Sequence, residues 1–362
     1  MHLCAGAITN NQNFFTIIKK LLICIKLFLM LKAFIIAAIV CPGVLMAQIT
    51  PKKKLPLCNP LIFGNIPKKA ISLQYEYQSK FNNESKNITA FPLTTTNVFT
   101  NNVSSFKLGF NKNVRVKPNG YISLDIGYTN TTFNKVTNAN LNANPLPLVF
   151  NNTAFHAINT STTVFKPLND KHFLIINAGI ELNGNTASLK KLGVRNIFAS
   201  GVFMYGTKKS YNEMWAFGVA RSYRLGRVIH VPSILWNKNF SKKWGMEMLL
   251  PSRLIFRYTT NKKTIFNGGV ELEGNQFAVA NNLNSINNSF LQRGEIRPKL
   301  GIETALTKNI RFIANAGVRV NGRFNLADNY DGKKLLLENA PKANAFVNIG
   351  VGWLTIKKVK KK

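Results

Sequence analysis

From residue 70 onward, apolar and polar residues alternate along most of the chain, in segments separated by turns rich in Asn, Gly, Lys and Pro. A period of two is typical of β-strands that turn one face to an apolar environment and the other to a polar one. No segment shows a convincing helical period. The pattern predicts fourteen strands, at about 70–80, 103–113, 120–130, 154–166, 171–182, 195–206, 213–223, 232–239, 243–250, 253–260, 263–273, 290–304, 308–320 and 344–356.

The connections between these segments alternate between short and long. The long ones are rich in Asn and lie at 81–102, 131–153, 274–289 and 321–343. The connection Pro251-Ser252 is an exception, because the alternation places it on the side of the long connections and yet it is tight. An even number of strands, with short turns at one end and longer loops at the other, is typical of outer-membrane barrels. The sequence therefore predicts an all-β fold: a single closed antiparallel up-and-down transmembrane β-barrel of about fourteen strands, twelve being the alternative. Both termini are expected in the periplasm.

The two faces of each segment differ in the way a membrane barrel requires. Leu254 and Phe256, for example, alternate with Arg253 and Arg257. Lipid-facing positions must be apolar, because an unsatisfied polar group in hydrocarbon costs several kcal/mol. The charged residues on the polar faces are therefore predicted to line the lumen: Glu76, Lys107, Asp125, Glu181, Glu247, Arg253, Arg257, Glu271, Glu273, Glu295, Arg297, Lys299, Glu303, Arg311 and Arg319.

Opposite charges on neighbouring strands are expected to form a ladder inside this lumen. The expected pairs are Glu76 and Asp125 with Lys107, and Arg253 and Arg257 with Glu271 and Glu273. Such cross-strand pairs contribute a few tenths to about 1 kcal/mol each, so the ladder has a structural interpretation as the support of a polar lumen. The alternative interpretation is that the ladder lines a path for solute. Both stay open at this point.

The first 47 residues have the pattern of an export signal. The true start could be Met30, from which a short basic region leads into the apolar run 33–40 and then to Ala47, a small residue before Gln48. We predict cleavage after Ala47. The alternative, an uncleaved inner-membrane anchor over 21–47, is less favoured because lysines interrupt it.

Three further segments follow the predicted signal. Residues 48–69 are rich in Pro and Lys and are predicted to be a linker, 70–356 the barrel, and 357–362 a solvated basic tail. Of the four cysteines only Cys58 lies after the signal, so the mature chain cannot form an internal disulfide.

The charge of the chain is strongly basic. Forty-eight Lys and Arg against fourteen Asp and Glu give a net charge of +34. This favours anionic partners such as lipid phosphates and small anionic solutes. Nucleic acid is not expected as a partner, because the bases are spread along the whole chain and no zinc, basic-helix or aromatic RNA-binding motif occurs. Outer-membrane lipid and lipopolysaccharide are the expected partners.

A resemblance to known proteins lies mainly between residues 232 and 258. The segment Pro232-Ser-Ile-Leu-Trp236, followed by Phe240, Lys243-Trp244, Leu250-Pro251 and Arg257-Tyr258, resembles a family of uncharacterised outer-membrane barrels of Gram-negative bacteria. The segment Leu73–Tyr77 is similar to their first strand. The resemblance implies the fold and an outer-membrane location, and it implies no activity. The chain departs from the usual ending of such barrels, because Trp353 is followed by nine residues that include a lysine tail.

Candidate catalytic chemistry is sparse. A barrel phospholipase needs a Ser nucleophile with a His base, and the three histidines after the signal, His156, His172 and His230, lie in no such motif. We predict no catalytic residue, no metal site and no cofactor.

Two functions from different classes remain. The first is a passive channel or solute-binding barrel with a charged lumen. The second is a structural or interaction barrel with a plugged lumen and outer loops that contact partners or lipopolysaccharide. A lipid-modifying barrel enzyme is a third and less favoured class.

Overall fold

The computed structural model describes residues 58, 66–88, 94–116, 120–138, 146–151, 153–191, 193–260, 263–280 and 289–354. The predicted signal, most of the predicted linker and the basic tail lie outside these residues.

Strands make up most of the described chain. Their bounds are β1 (Ile71–Gln78), β2 (Phe81–Asn87), β3 (Thr94–Val116), β4 (Gly120–Asn138), β5 (Ala154–Pro167), β6 (His172–Asn185), β7 (Ile197–Ser210), β8 (Glu213–Ser222), β9 (Ile229–Asn239), β10 (Trp244–Leu250), β11 (Arg253–Thr259), β12 (Thr264–Val279), β13 (Ser289–Ala305), β14 (Ile310–Ala327), β15 (Leu335–Pro341) and β16 (Asn344–Trp353). Three short helical elements lie in loops: α1 (Leu146–Phe150), α2 (Thr186–Lys190) and the 3-10 turn η1 (Val194–Asn196).

The sixteen strands close one antiparallel barrel with fourteen positions in its wall. β1 pairs with β3 on one side and β16 on the other, and β2 and β15 pair with each other above them. β1 with β2, and β15 with β16, are thus two wall strands, each interrupted at one point. The prediction of a closed fourteen-stranded up-and-down barrel is confirmed.

The exterior of this barrel is apolar. Along β1, Leu73, Tyr75 and Tyr77 are exposed while Glu76 and Gln78 are buried. The same alternation recurs around the wall, and closed barrels with such an apolar band span membranes because no strand edge is left unpaired. The protein is an outer-membrane β-barrel. Among the described residues, no helix has both the length and the apolar character needed to cross a membrane.

The two ends of the barrel differ. The chain enters at Ile71 and leaves at Trp353, which are paired, and the short connections such as 168–171, 211–212 and 306–309 lie at this same end. Short turns mark the periplasmic side of such barrels, so we call it the periplasmic end and the other the outer end.

The wall is uneven in height. β3 has 23 residues and β4 has 19, whereas β10 and β11 have 7 each. The tight Leu250–Pro251–Ser252 connection, which is unusual for an outer loop, is therefore the low point of the wall. The predicted loops 81–102 and 321–343 are largely strand, because β2, β3, β14 and β15 extend the tall side beyond the region in which the sequence alternates clearly.

The long strands of the wall fold inward at the outer end. Ala278 of β12 reaches Gly184 of β6 across the barrel, and Leu225 in the β8–β9 loop forms a bridge with Gly294 of β13. A bulge at Gly322 shifts the register of β14. Inward-facing residues of β14 therefore have odd numbers up to Arg319 and even numbers from Phe324 onward.

Candidate solute passage inside the barrel

The inward positions of β1, β3, β12 and β13 bring four opposite charges together. Lys107 Nζ lies 3.1 Å from Glu76 Oε2 and 2.6 Å from Glu273 Oε1. Arg297 Nη2 lies 2.8 Å from Glu76 Oε1, and Arg297 also pairs with Glu273. Each of the four therefore has two partners of opposite charge, and the expected pair of Glu76 with Lys107 is present.

A second group surrounds Glu295, which is almost completely buried on β13. Arg319 Nη1 lies 3.2 Å from Glu295 Oε1, and Arg293 and Arg297 pair with the same carboxylate. The guanidinium carbon of Arg297 lies 3.9 Å from the centre of the Phe346 ring. These arginines thus lie between the polar lumen and an aromatic region above it.

Two more carboxylates form ion pairs with bases nearer the periplasmic end. Glu303 pairs with Lys69, and its Oε1 lies 3.4 Å from Arg311 Nη1. Lys299 Nζ lies 2.7 Å from Glu271 Oε2, where β12 and β13 are paired.

The ion pairs of the described residues differ from the expected ones. They do not join Arg253 or Arg257 to Glu271 or Glu273. Glu247 on β10 forms an ion pair with both arginines. Its Oε2 lies 3.9 Å from Arg253 Nη2, and its Oε1 lies 3.6 Å from Arg257 Nε. Arg253 lies opposite Glu271 in the register, as expected, although its described ion pair is with Glu247. For Arg257, the register explains the difference. Gly245, two residues before Glu247, lies opposite Arg257, so the arginine side chain extends over a position that has no side chain and reaches Glu247.

Asp125 and Glu181 occupy inward positions without an ion pair among the described contacts. Asp125 accepts a hydrogen bond from Ser123 Oγ at 3.1 Å, and Glu181 accepts one from Asn183 Nδ2 at 3.0 Å. The expected pair of Asp125 with Lys107 is not formed, because Asp125 lies opposite Asn111, nearer the periplasmic end than Lys107 and its neighbour Thr129.

We call the paired inward residues the charged network. Within the ion pairs that the structure describes, it contains nine bases and six acids. The bases are Lys69, Lys107, Arg253, Arg257, Arg293, Arg297, Lys299, Arg311 and Arg319, and the acids are Glu76, Glu247, Glu271, Glu273, Glu295 and Glu303.

Several members of the charged network remain accessible to water although they point inward. The side chains of Arg253, Glu273 and Glu271 keep 50%, 40% and 31% of their surface. All three lie near the low wall, where β11 ends and β12 continues upward without it. A charged side chain keeps such exposure on an inward face only beside a space that water can enter.

The outer end of the interior is filled by apolar side chains. We call this the outer aromatic cluster; it consists of Phe81, Val98, Val103, Phe133, Val136, Leu146, Val149, Phe150, Phe155, Ala157, Phe277, Val279, Leu291, Phe324, Leu326 and Leu337. The rings of Phe133 and Phe150 are 4.4 Å apart between centroids. α1 contributes Phe150, so this helix lies inside the barrel mouth.

Cys58 and residues 66–70, which we call the N-terminal segment, contact the periplasmic end of the interior. The backbone N–H of Ile66 donates to Glu247 Oε1 at 2.9 Å, and Lys68 Nζ donates to Ser123 Oγ at 3.4 Å. Cys58 is buried beside Phe173 and Met204, and burial raises the pKa of its thiol to about 11. Contacts with β4, β6, β7 and β10 place this segment within the mouth.

Sequence reasoning missed the N-terminal segment and the outer aromatic cluster. Lys69 and Arg293 were also missed as members of the network, the first because it precedes the first strand. A signal for the cluster was available in Phe277, which continues the inward face of the predicted strand 263–273 beyond its end, and in Leu291, on the inward face of the predicted strand 290–304.

The histidines take part in hydrogen bonds on the outward face. His156 Nδ1 and Tyr128 Oη are 2.9 Å apart, as are His172 Nδ1 and Tyr205 Oη, and His230 Nε2 lies 3.1 Å from Arg221 Nη1. The part of the chain that the structure describes contains no group of three or more His, Cys, Asp or Glu residues that could hold a metal ion.

A family model places the chain among known sequences. The model of a domain of unknown function, DUF6268, matches residues 44–353, which is most of the chain. The chain belongs to the DUF6268 family. This confirms the expected membership of an uncharacterised outer-membrane barrel family. No curated protein matches this DUF6268 chain.

Solved structures similar to this DUF6268 barrel include other outer-membrane proteins. An outer-membrane channel from Pseudomonas putida F1 is 11% identical, with a TM-score of 0.38, over 85% of this chain and 100% of that one. A FadL homologue of Pseudomonas aeruginosa is 9% identical, with a TM-score of 0.40, over 78% and 89%. The outer-membrane protease OmpT of Escherichia coli is 8% identical, with a TM-score of 0.28, over 79% and 96%.

Proposed function

We propose that this barrel is a passage for small polar solutes, with a preference for anions, and that it has no enzymatic activity. The observation that carries the proposal is the water exposure of inward-facing charges near the low wall, at Arg253, Glu271 and Glu273. A purely structural interior would gain nothing from these exposures, because exposed ion pairs contribute only about 0–1 kcal/mol.

The direction of selectivity follows from the composition of the charged network. Nine bases against six acids in the charged network, or against eight when the inward Asp125 and Glu181 are counted, leave an excess of positive charge in a space bounded by a low-dielectric wall. Such a space raises the local concentration of anions. Arg311 Nε and Arg319 Nη2 are buried and have no hydrogen-bond partner among the described residues. Because both atoms are buried, they add positive charge to the wall of the lumen and are not themselves a solute-binding site.

The proposed path avoids the outer aromatic cluster. Solute enters above the Pro251-Ser252 connection, where the wall is lowest, and meets Arg253 and Glu273 first. It continues past Lys299 and Arg311 towards the periplasmic mouth, where the segment around Lys69 narrows the exit.

A second candidate is a structural barrel with a plugged interior. The outer aromatic cluster favours it, because aromatic packing of this extent closes the tall half of the outer mouth. Under this alternative the charged network would only hold the wall together.

Conductance of the refolded protein in planar bilayers separates the two candidates. We expect ion flow with a reversal potential that indicates anion preference, and we expect Arg253→Gln combined with Arg257→Gln to reduce that preference. Lys190→Gln with Lys191→Gln, at the exposed α2 region of the outer end, removes the same charge outside the lumen and is the matched control. Absence of conductance in the wild-type protein would reject the passage and leave the structural barrel.

A further inference from the structure

Five strands that descend to the periplasmic end finish with the same combination of residues, one lysine and one apolar or aromatic residue two positions apart. Lys112, Val114, Lys166 and Lys238 occupy outward strand positions, whereas Lys209 lies at a β-bulge and the remaining members lie in the adjoining turns. The pairs are Lys112 and Val114 on β3, Lys166 and Leu168 at the end of β5, Lys209 and Tyr211 at the end of β7, Lys238 and Phe240 at the end of β9, and Leu306 and Lys308 after β13.

Both members of most pairs are exposed. The five apolar residues all retain a large part of their surface, with Phe240 and Leu306 above one half. Lys112, Lys166, Lys209 and Lys308 are exposed as well. An exposed aromatic or leucine beside a lysine is costly for a surface that meets only water, and it is favourable where hydrocarbon and headgroups meet.

The rim is predominantly positive. Two acids lie close to these pairs: Asp170 in the β5–β6 turn, and Glu213, whose Oε2 lies 3.5 Å from Lys238 Nζ. Lys238 is thus partly neutralised, whereas the other four lysines form a band of positive charge around the wall. We call the five lysines the lysine rim.

We propose that the lysine rim binds the anionic headgroups of phospholipids in the inner leaflet of the outer membrane. The apolar partner of each lysine inserts at the headgroup boundary, and the ammonium group contacts the lipid phosphate and any further negative charge. A basic residue near an anionic membrane surface increases binding about fivefold. The outward strand positions of Lys112, Lys166 and Lys238 select lipid over an acidic periplasmic protein, because the wall at this height is surrounded by the leaflet. The inference does not depend on the proposed passage.

The tryptophans provide an internal reporter for this rim. All four, Trp215, Trp236, Trp244 and Trp353, are on outward positions in the periplasmic half of their strands. Trp244 and Trp353 are about half exposed. Their fluorescence is therefore quenched by brominated acyl chains of the lipids that surround this end of the barrel.

The test compares quenching by brominated phosphatidylglycerol with quenching by brominated phosphatidylcholine, at equal mole fraction, for the refolded full chain in vesicles. We expect phosphatidylglycerol to be enriched at least about fivefold around the wild-type protein, and the enrichment to decrease with added salt. Lys112→Gln, Lys166→Gln, Lys209→Gln and Lys308→Gln together should abolish it.

The matched control replaces four exposed lysines at the outer end: Lys190→Gln, Lys191→Gln, Lys333→Gln and Lys334→Gln. It should keep the wild-type enrichment. If the fourfold rim variant does not refold, the two double variants, Lys112→Gln with Lys166→Gln and Lys209→Gln with Lys308→Gln, should each lose part of it. Equal quenching of the wild-type protein by both lipids would overturn the proposal, as would an equal loss in the control.

Discussion

The outer and periplasmic halves of this barrel enclose interiors of different character. In the outer half, the tall strands fold inward around Phe133, Phe150 and their neighbours, and the space is packed with apolar side chains. In the periplasmic half, β5 to β8 carry a smaller apolar cluster around Cys58, whereas β3 and β12 to β14 carry much of the charged network, and some of its members remain open to water. One wall therefore supports both a protein core and a polar lumen. The difference shows that the inward face of a barrel strand can change its chemistry along its length while the outward face stays apolar.

The largest effect is expected in the packed half. Phe133→Ala removes a ring whose centroid lies 4.4 Å from Phe150 and 5.9 Å from Phe324. Loss of a buried aromatic ring costs about 3–5 kcal/mol, which should appear in the free energy of unfolding in urea. Phe106→Ala, at an exposed outward position, is the control and should cost clearly less because lipid fills the space. Equal costs would mean that the outer interior is not a packed core.

A smaller but still large effect is expected at the boundary between the halves. Glu295→Gln removes the negative charge that Arg293, Arg297 and Arg319 share in a buried position. Breaking one partner of a buried ion pair costs about 3–5 kcal/mol, and the glutamine retains part of this by hydrogen bonding. The matched change Glu271→Gln, in the wet half, should cost about 1 kcal/mol or less. Similar unfolding free energies for the two variants would remove the distinction between the halves.

The smallest effect on stability is expected at the low wall. Arg253 is half exposed, and its closest described ion pair is 3.9 Å long. Arg253→Gln should therefore change the free energy of unfolding by less than about 1 kcal/mol, as measured in urea alongside the two variants above. A cost as large as that of Glu295→Gln would make Arg253 a structural residue.

The alternation of residues was enough to predict the number of strands, their order and most of their bounds. It predicted the side of the wall on which Glu76, Arg257 and Glu303 lie, because the cost of a charge in lipid fixes the outward face. It did not predict which charges meet. Arg257 pairs with Glu247 on β10 rather than with an acid on β12, and this choice depends on how far the side chain reaches past Gly245.

The inward fold of the tall side could not be predicted from the alternation either. β12 reaches β6 through a single bridge between Ala278 and Gly184, and nothing local in either strand indicates a partner across the barrel. The long strands β3 and β14 were underestimated because their outer parts have the composition of loops, with many Asn and Thr in β3 and with Asn321, Gly322 and Asn325 in β14. Their backbone pairing with β2 and β15 keeps them extended.

Reactivity of introduced thiols tests the division of the interior most directly. In a Cys58→Ser background, Glu271→Cys and Leu291→Cys place one thiol in the wet half and one in the outer aromatic cluster. Both are treated in the refolded protein with a membrane-impermeant, negatively charged thiol reagent and with its positively charged counterpart. We predict that the thiol at 271 reacts, and that it reacts faster with the anionic reagent, whereas the thiol at 291 stays unmodified until the protein is unfolded. Equal protection at both positions would contradict a water-filled charged lumen, and with it the proposed passage.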